Sequence, residues 1–466
     1  MTQAPAIDNP YTRGVASYIA HTRYEDIPQE VLERLKLLIL DSIGCGIYAA
    51  DLEWSRILID SLSAVDTSDG CTVWGARERL SAPHAALVNG SLIQGYEIDD
   101  AFYRGPTHVG AVTLPALFAV AETRPQMSGR ELLRAALIGY EIATRASLCM
   151  GPEHLAQGWH SVGTTGVFGG AASAGAALGL SVEQAVHALG IAGTQASGLM
   201  AAQYGAMVKR MNAGRASQSG LYGALFAARG YTGIVDVFES KYGGYCTAFS
   251  NSTDKFDLNE LTAGLGETYL TLDIFLKFYS CVAGVHPALN AIRELRSKRN
   301  FSADEVEKVT VDVSLTTYDH MGWKYRPEGV TSAQLNMGYC LATMLIEGEC
   351  FVDQFSEAMV ADPQRLALIG KIDIRHDPEI TALGRPYRHK TRVAVRLKDG
   401  TLLETTMQKR FDELEFPGPQ PVLKKFETLA RHAFAQPKVE RIRDAVMGLE
   451  KLDDAKALAR LLTKDN

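Results

Sequence analysis

From Pro28 to about Gly230 the apolar residues of this chain recur at helical spacing almost without pause, and after about Leu270 the spacing changes to two. That change of period constrains the fold more than any other feature, because a side chain returns to one face every 3.6 residues in a helix and every second residue in a strand. In the first segment Val31, Leu32, Leu35, Leu38, Ile39 and Ile43 fall on one face and predict a helix over 31–50. Ser128 with Glu131, and Ser181 with Gln184, each set a capping box ahead of an apolar run, so helices start there. Strands are hard to find in this half.

Beyond 270, Ser302 with Glu305 opens a short turn or helix, and Val309, Val311 and Val313 then alternate with polar residues. Ile372 and Ile374 alternate likewise. Val393, Val395 and Leu397 lead into Asp399-Gly400 and a second run over 402–406, a hairpin signal. After Pro417 the sequence is charged and helical to its end. The reading is a mainly α fold: a large all-helical domain from 1–269 and 409–466, and a smaller inserted α+β domain with an antiparallel sheet over 270–408.

A chain of 466 residues with 46% hydrophobic and 22% charged composition can bury the cores of two such domains. Its formal charge of −7 offers no basic face for nucleic acid, so a small molecule is the expected partner. Seven scattered cysteines without a C-x-x-C pair suggest reduced thiols in a cytoplasm rather than a disulfide framework. Residues 1–20 show no positive segment leading into an apolar run, so no signal peptide is expected. The apolar stretch over 162–180 is broken by glycines and reads as buried helix, not as a membrane span.

Of the eleven histidines, His21, His187, His320, His376, His389 and His432 lie in amphipathic or charged surroundings and read as surface or partly buried residues without function. Three segments differ. Glu97, Asp99 and Asp100 end a helix-like run, and His108 follows in a loop; this is either a solvated helix end or a functional polar cluster. A metal site is the weaker idea, because adjacent Asp99 and Asp100 would point apart on a helix, and none is assigned. The run Gly158-Trp-His160-Ser-Val-Gly163-Thr-Thr-Gly166 precedes a helix expected over 167–178. His160, Ser161, Thr164 and Thr165 there make a prospective anion site, with the glycines also suited to tight packing. Lys209 and Arg210 interrupt small and apolar residues, so they either snorkel out or face an anion. Lys277 lies in Phe275-Leu-Lys277-Phe-Tyr-Ser-Cys281, with His286-Pro287 following. Taken singly, neither lysine identifies a site.

Taken in order, E-I-D-D at 97–100, T-H-V-G-A-V-T-L-P-A at 107–116, G-W-H-S-V-G-T-T-G-V-F-G at 158–169, the Lys209 segment, K-F-Y-S-C-V-A-G-V-H-P-A at 277–288 and A-Q-L-N-M-G-Y at 333–339 resemble the MmgE/PrpD family over nearly the whole chain. That family includes 2-methylcitrate dehydratases, cis-aconitate decarboxylases and iminodisuccinate epimerases. The resemblance implies a homodimer, each subunit having a mostly helical domain and a lid-like α+β domain with the active site between them. It places active-site residues at His108, His160, Lys209, Lys277 and Tyr339, with His286 in a further motif. Departures are Glu97-Ile-Asp99-Asp100-Ala101 where decarboxylase-like sequences have D-F-D-D-T, Val109-Gly110 after the motif histidine, and loss of an aromatic-serine pair before Tyr339. They line the expected pocket and leave the substrate open.

The implied activity is a cofactor-independent lyase acting on a di- or tricarboxylate, by dehydration or decarboxylation. Each reaction passes through charge on a carbon next to a carboxylate. On that reading His108 and His160 transfer protons, Lys209 and Lys277 bind carboxylates, Tyr339 delivers a proton, and Glu97 or Asp99 orients a histidine. An epimerase would use the same acid and base, and a non-catalytic metabolite-binding homologue is the third reading. No cofactor is expected: there is no Walker loop, no dinucleotide fingerprint and no cysteine triad for an iron–sulfur cluster, and a serine hydrolase lacks its G-x-S-x-G elbow.

Overall fold

The computed structural model describes residues 8–407 and 416–465. The expected boundary at 408/409 and the first seven residues lie outside the described residues. The long helices of the first part, among the described residues, are α1 (Pro10–His21), α2 (Gln29–Ala49), α3 (Glu53–Ser63), α4 (Ala82–Ile93), α5 (Val109–Thr123), α6 (Gly129–Ala156), α7 (Ser161–Leu178), α8 (Val182–Gly193) and α9 (Val208–Ala228). Both predicted capping boxes are formed, at Ser128 and at Ser181. Among the described residues the only strands in this part are the two-residue pieces Cys71–Thr72 and Arg79–Leu80.

Helices α4, α5, α7 and α9 pack against one another at the centre, and α7 is buried along nearly its whole length. Small residues set that closeness: a Cβ on Gly214 of α9 would overlap the Leu87 carbonyl oxygen of α4, and one on Gly166 of α7 would meet Val112 of α5 at 2.5 Å. The glycines of α7 therefore receive neighbouring helices. Helix α7 also begins six residues before the expected start, which puts Ser161 in its first turn and His160 at its N-cap position.

In the second part, α10 (His286–Lys298) and α11 (Met337–Glu347) pack on a four-stranded sheet of β1 (Val306–Val313), β2 (Ile372–His376), β3 (Thr391–Leu397) and β4 (Leu402–Met407), in the order β2-β1-β3-β4. Val306, Val309, Val311 and Val313 face the core. The β1–β3 and β3–β4 pairs are antiparallel, but β2 joins β1 in parallel, with Val309 opposite Ile372. Alternation of period two signals a half-buried strand and carries no direction, which is why sequence could not separate the two pairings.

The chain then returns to the first helices. Helix α12 (Pro419–Ala430) lies along α2, where Lys425 Nζ meets Asp41 Oδ1 at 2.7 Å with both side chains almost fully buried, and also donates to the Ile98 carbonyl. The C-terminal segment thus fastens the loop that carries the acidic cluster. Among the described residues no helix is long and apolar enough to cross a membrane.

Candidate active site

The loop between α4 and α5 presents the acidic cluster to the interior. Glu97 holds a left-handed backbone (φ 57°), one of two described non-glycine residues that do so. Such a conformation persists only where surrounding contacts fix it, and it often marks a functional site. Here the fixing contacts are two ammonium groups: Lys209 Nζ donates to Glu97 Oε1, and Lys277 Nζ lies 3.1 Å from Oε2 and 3.5 Å from Asp99 Oδ1. All four side chains are buried. Burial opposes charge on Glu97, but Lys209 and Lys277 outweigh it and hold the carboxyl well below its ordinary range. Burial also lowers Lys209, against the pull of Glu97, whereas Lys277 is raised because two carboxylates face it.

Asp99 and Asp100 do point apart. Asp100 turns away from the lysines and accepts from Gly110 N at 3.0 and 3.1 Å, at the start of α5. Burial and the charges of Asp99 and Asp41 push its pKa up to about 8, so at neutral pH it is mostly protonated. Asp99 Oδ2 instead lies 3.0 Å from His108 Nδ1, which donates to the Asp100 carbonyl at 2.8 Å. Both neighbours of Nδ1 are acceptors, so that nitrogen carries its proton and Nε2 is left for another partner.

His160 sits across the cavity. Its Nδ1 lies 2.8 Å from Asn212 Nδ2; the amide donates, which leaves the ring proton on Nε2. Burial, Lys209 and His108 all hold its pKa well below the ordinary histidine value, so the ring is neutral. Ser161 Oγ is buried at the same helix start, without a hydrogen-bond partner among the described residues.

These groups line a cavity of about 490 Å³. Glu97, His108, His160, Ser161, Lys209 and Lys277 all reach it. Thr164 does not: its hydroxyl is taken by His154 Nε2 at 2.6 Å, because Gly151 (φ 64°) kinks the end of α6 and turns His154 back on α7. His286 packs behind the cavity, edge-on to Tyr279, with Nε2 3.3 Å from the Cys281 carbonyl. Tyr339 is likewise not brought to the cavity. Fully buried in α11, its ring lies 5.1 Å from Tyr325 and 5.7 Å from Phe355, and burial raises its phenol.

Sequence reasoning missed the opposite wall. Ser314, Thr316, His320, Arg388 and His389 close the cavity from the sheet-bearing part, and Met200 and Gln203 from the segment before α9. His320 and His389, expected at the surface or without function, are held neutral there chiefly by burial. Arg388-His389-Lys390 looks like a solvated basic turn; only folding lays it over the cavity, where Arg388 donates to the Tyr103 carbonyl at 3.0 Å. Asn212 gave no signal at all, since an amide that orients a histidine has no characteristic spacing. A second expectation is corrected nearby: the scattered cysteines do form a triad, Cys281, Cys340 and Cys350, with sulfurs all within 4.8 Å of one another. None of the three lines the cavity.

A cavity with two buried ammoniums, a guanidinium and histidines of fixed tautomer is equipped for acid–base chemistry on a small polyanion. The sequence matches the MmgE/PrpD N-terminal domain over residues 13–257 and the MmgE/PrpD C-terminal domain over 279–451, and the chain belongs to that family. It is 34% identical over 471 residues to a cis-aconitate decarboxylase-like protein, oryM, of Aspergillus oryzae, covering 97% of each chain. It is 33% identical to a cis-aconitate decarboxylase of Aspergillus terreus, covering 99% of this chain and 98% of the relative. A mitochondrial 2-methylcitrate dehydratase of Yarrowia lipolytica is 21% identical over 92% of this chain and 85% of its own. The chain is therefore an enzyme of the dehydratase and decarboxylase kind.

Proposed function

We propose that the enzyme decarboxylates cis-aconitate or a close tricarboxylate analogue, without a cofactor. The observation that carries this reading is the convergence of Lys209 and Lys277 beside two histidines of fixed tautomer in one cavity. The identity to the two Aspergillus relatives, 34% and 33% against 21% to the dehydratase, supports the choice between the two reactions.

In the reaction, the bond from the methylene carbon to its carboxylate breaks and CO2 leaves. The electron pair forms a new double bond, and the old double bond's electrons move to the carbon beside the remote carboxylate. That carboxylate shares the developing charge. Lys209 and Lys277 hold the substrate's carboxylates, and the neutral His160 donates through Nε2–H to an oxygen that gains charge. His108, paired with Asp99 through Nδ1, relays a proton from solvent through Nε2 to the carbon. Asp99 is its positioning residue. Proton delivery passes to His108 in this scheme because Tyr339 lies outside the cavity.

The working form is a homodimer in the cytoplasm. Leu199, Tyr204, Met207 and Val208 form an exposed apolar run beside the cavity wall, suited to burial against a second copy, and the seven thiols suit a reducing compartment. The test is turnover of cis-aconitate and 2-methylcitrate by the purified enzyme, followed by NMR and by CO2 release. The proposal expects CO2 and a methylene-bearing diacid from cis-aconitate. Water loss from 2-methylcitrate, with cis-aconitate left untouched, would make it a dehydratase instead.

A further inference from the structure

Cys281, Cys340 and Cys350 are distant in sequence but converge beneath the strand of chain that bears Lys277. All three are buried, and their sulfurs stand within 4.8 Å of one another. Three converging thiols are a ligand set for a thiophilic metal ion, which soft sulfur prefers over harder cations. Thiolate bonds of about 2.3 Å put ligand sulfurs about 3.8 Å apart around a tetrahedral zinc. Contraction of at most about an ångström therefore closes these three on one ion. They are too near one another for a multinuclear iron–sulfur cluster, whose cysteines bind different iron atoms.

The surroundings suit such an ion. Arg293 and Arg365, whose charges both act on Cys350, offset part of the negative charge that three thiolates would leave around a divalent ion. His286 stands behind the triad, with its Nε2 3.3 Å from the Cys281 carbonyl. Backbone bonds already hold the frame, from Ser280 N to the Cys350 carbonyl at 3.0 Å and from Val282 N to the Gln334 carbonyl at 3.0 Å. We propose that Cys281, Cys340 and Cys350 bind a structural zinc ion through their three sulfurs. The ion would sit outside the cavity and fasten the Lys277 segment to α11. Its role would be to position Lys277, since no zinc ligand reaches the substrate space.

The test uses the full chain produced in zinc-supplied and in cobalt-supplied medium and purified under reductant. The expected results are about one zinc per chain by elemental analysis and, with cobalt, thiolate-to-metal charge-transfer bands with the visible bands of a tetrahedral ion. Protein made with a chelator present should melt several degrees lower. Cys340→Ala, checked for folding by circular dichroism, should lose the metal and the bands. If that variant fails to fold, titrating the wild-type protein with an organomercurial should release about one zinc per chain to a chromogenic chelator, and release of none would overturn the site. Folded wild-type protein with under a tenth of an equivalent of zinc and no cobalt bands would overturn the site. So would a mass two units lower on mild peroxide treatment of metal-replete protein, which would mark the thiols as a disulfide-forming pair instead.

Discussion

Replacing Glu97 by Gln keeps the shape of the side chain and removes the one carboxylate shared by two buried ammoniums. Lys277 retains Asp99 at 3.5 Å, so Lys209 is the group left without an acid. Breaking a buried pair by removing one partner costs about 3–5 kcal/mol. A bound is set by the alternative open to Lys209, which is to shed its proton. From an ordinary lysine pKa of about 10.4, that costs about 4.6 kcal/mol at pH 7, at 1.36 kcal/mol per unit. E97Q should therefore lose about 3–5 kcal/mol of stability at neutral pH, read by chemical denaturation beside wild type. The pH dependence has a definite sign. The folded Glu97 pKa lies below its unfolded value, so its contribution is present above about pH 4.3 and disappears as pH falls through the folded value. The gap between wild type and E97Q should shrink accordingly in acid. A tricarboxylate mimic such as tricarballylate brings a carboxylate to the orphaned lysine and should raise the melting temperature of E97Q more than that of wild type. Equal stability of the two proteins at pH 7, with equal ligand shifts, would refute the account of Glu97 as the counter-ion.

Other changes test the remaining parts. Asp100→Asn should remove a pH slope: the folded acid keeps its proton up to about pH 8 while the unfolded acid releases it near 4, so wild-type stability falls across that window and the melting temperature of D100N does not. His108→Gln should lower kcat by about 10²- to 10⁴-fold, while Tyr339→Phe should leave it within about twofold, both measured by steady-state CO2 release. Val208→Asp, in the exposed apolar run, should convert a dimer to monomer by light scattering; a dimer that survives it places the interface elsewhere.

Much of this was legible in the sequence, and the reasons are physical. Helical period and paired caps at Ser128 and Ser181 are local signals, and both helices form as read. Glu97, His108 and His160 stood out because polar groups among apolar or glycine-rich neighbours need partners, Lys209 and Lys277 only through the family resemblance, and the structure brings these five together. What failed was long-range. The parallel edge β2, the cysteine triad and the wall made by His320, Arg388 and His389 depend on which segments the fold juxtaposes. Thr164 and Tyr339 carried plausible chemistry, yet a kink at Gly151 and the burial face of α11 direct them elsewhere.

The central claim is that the cavity generates, and then protonates, charge on carbon beside a carboxylate. The most direct measurement is turnover of carboxyl-labelled cis-aconitate in D2O, followed by carbon and proton NMR. The account predicts labelled CO2 and a diacid carrying a single deuterium on the carbon next to the remote carboxylate, with both signals lost in Lys277→Met. Turnover that leaves that carbon without deuterium, or that proceeds unchanged in Lys277→Met, would contradict it.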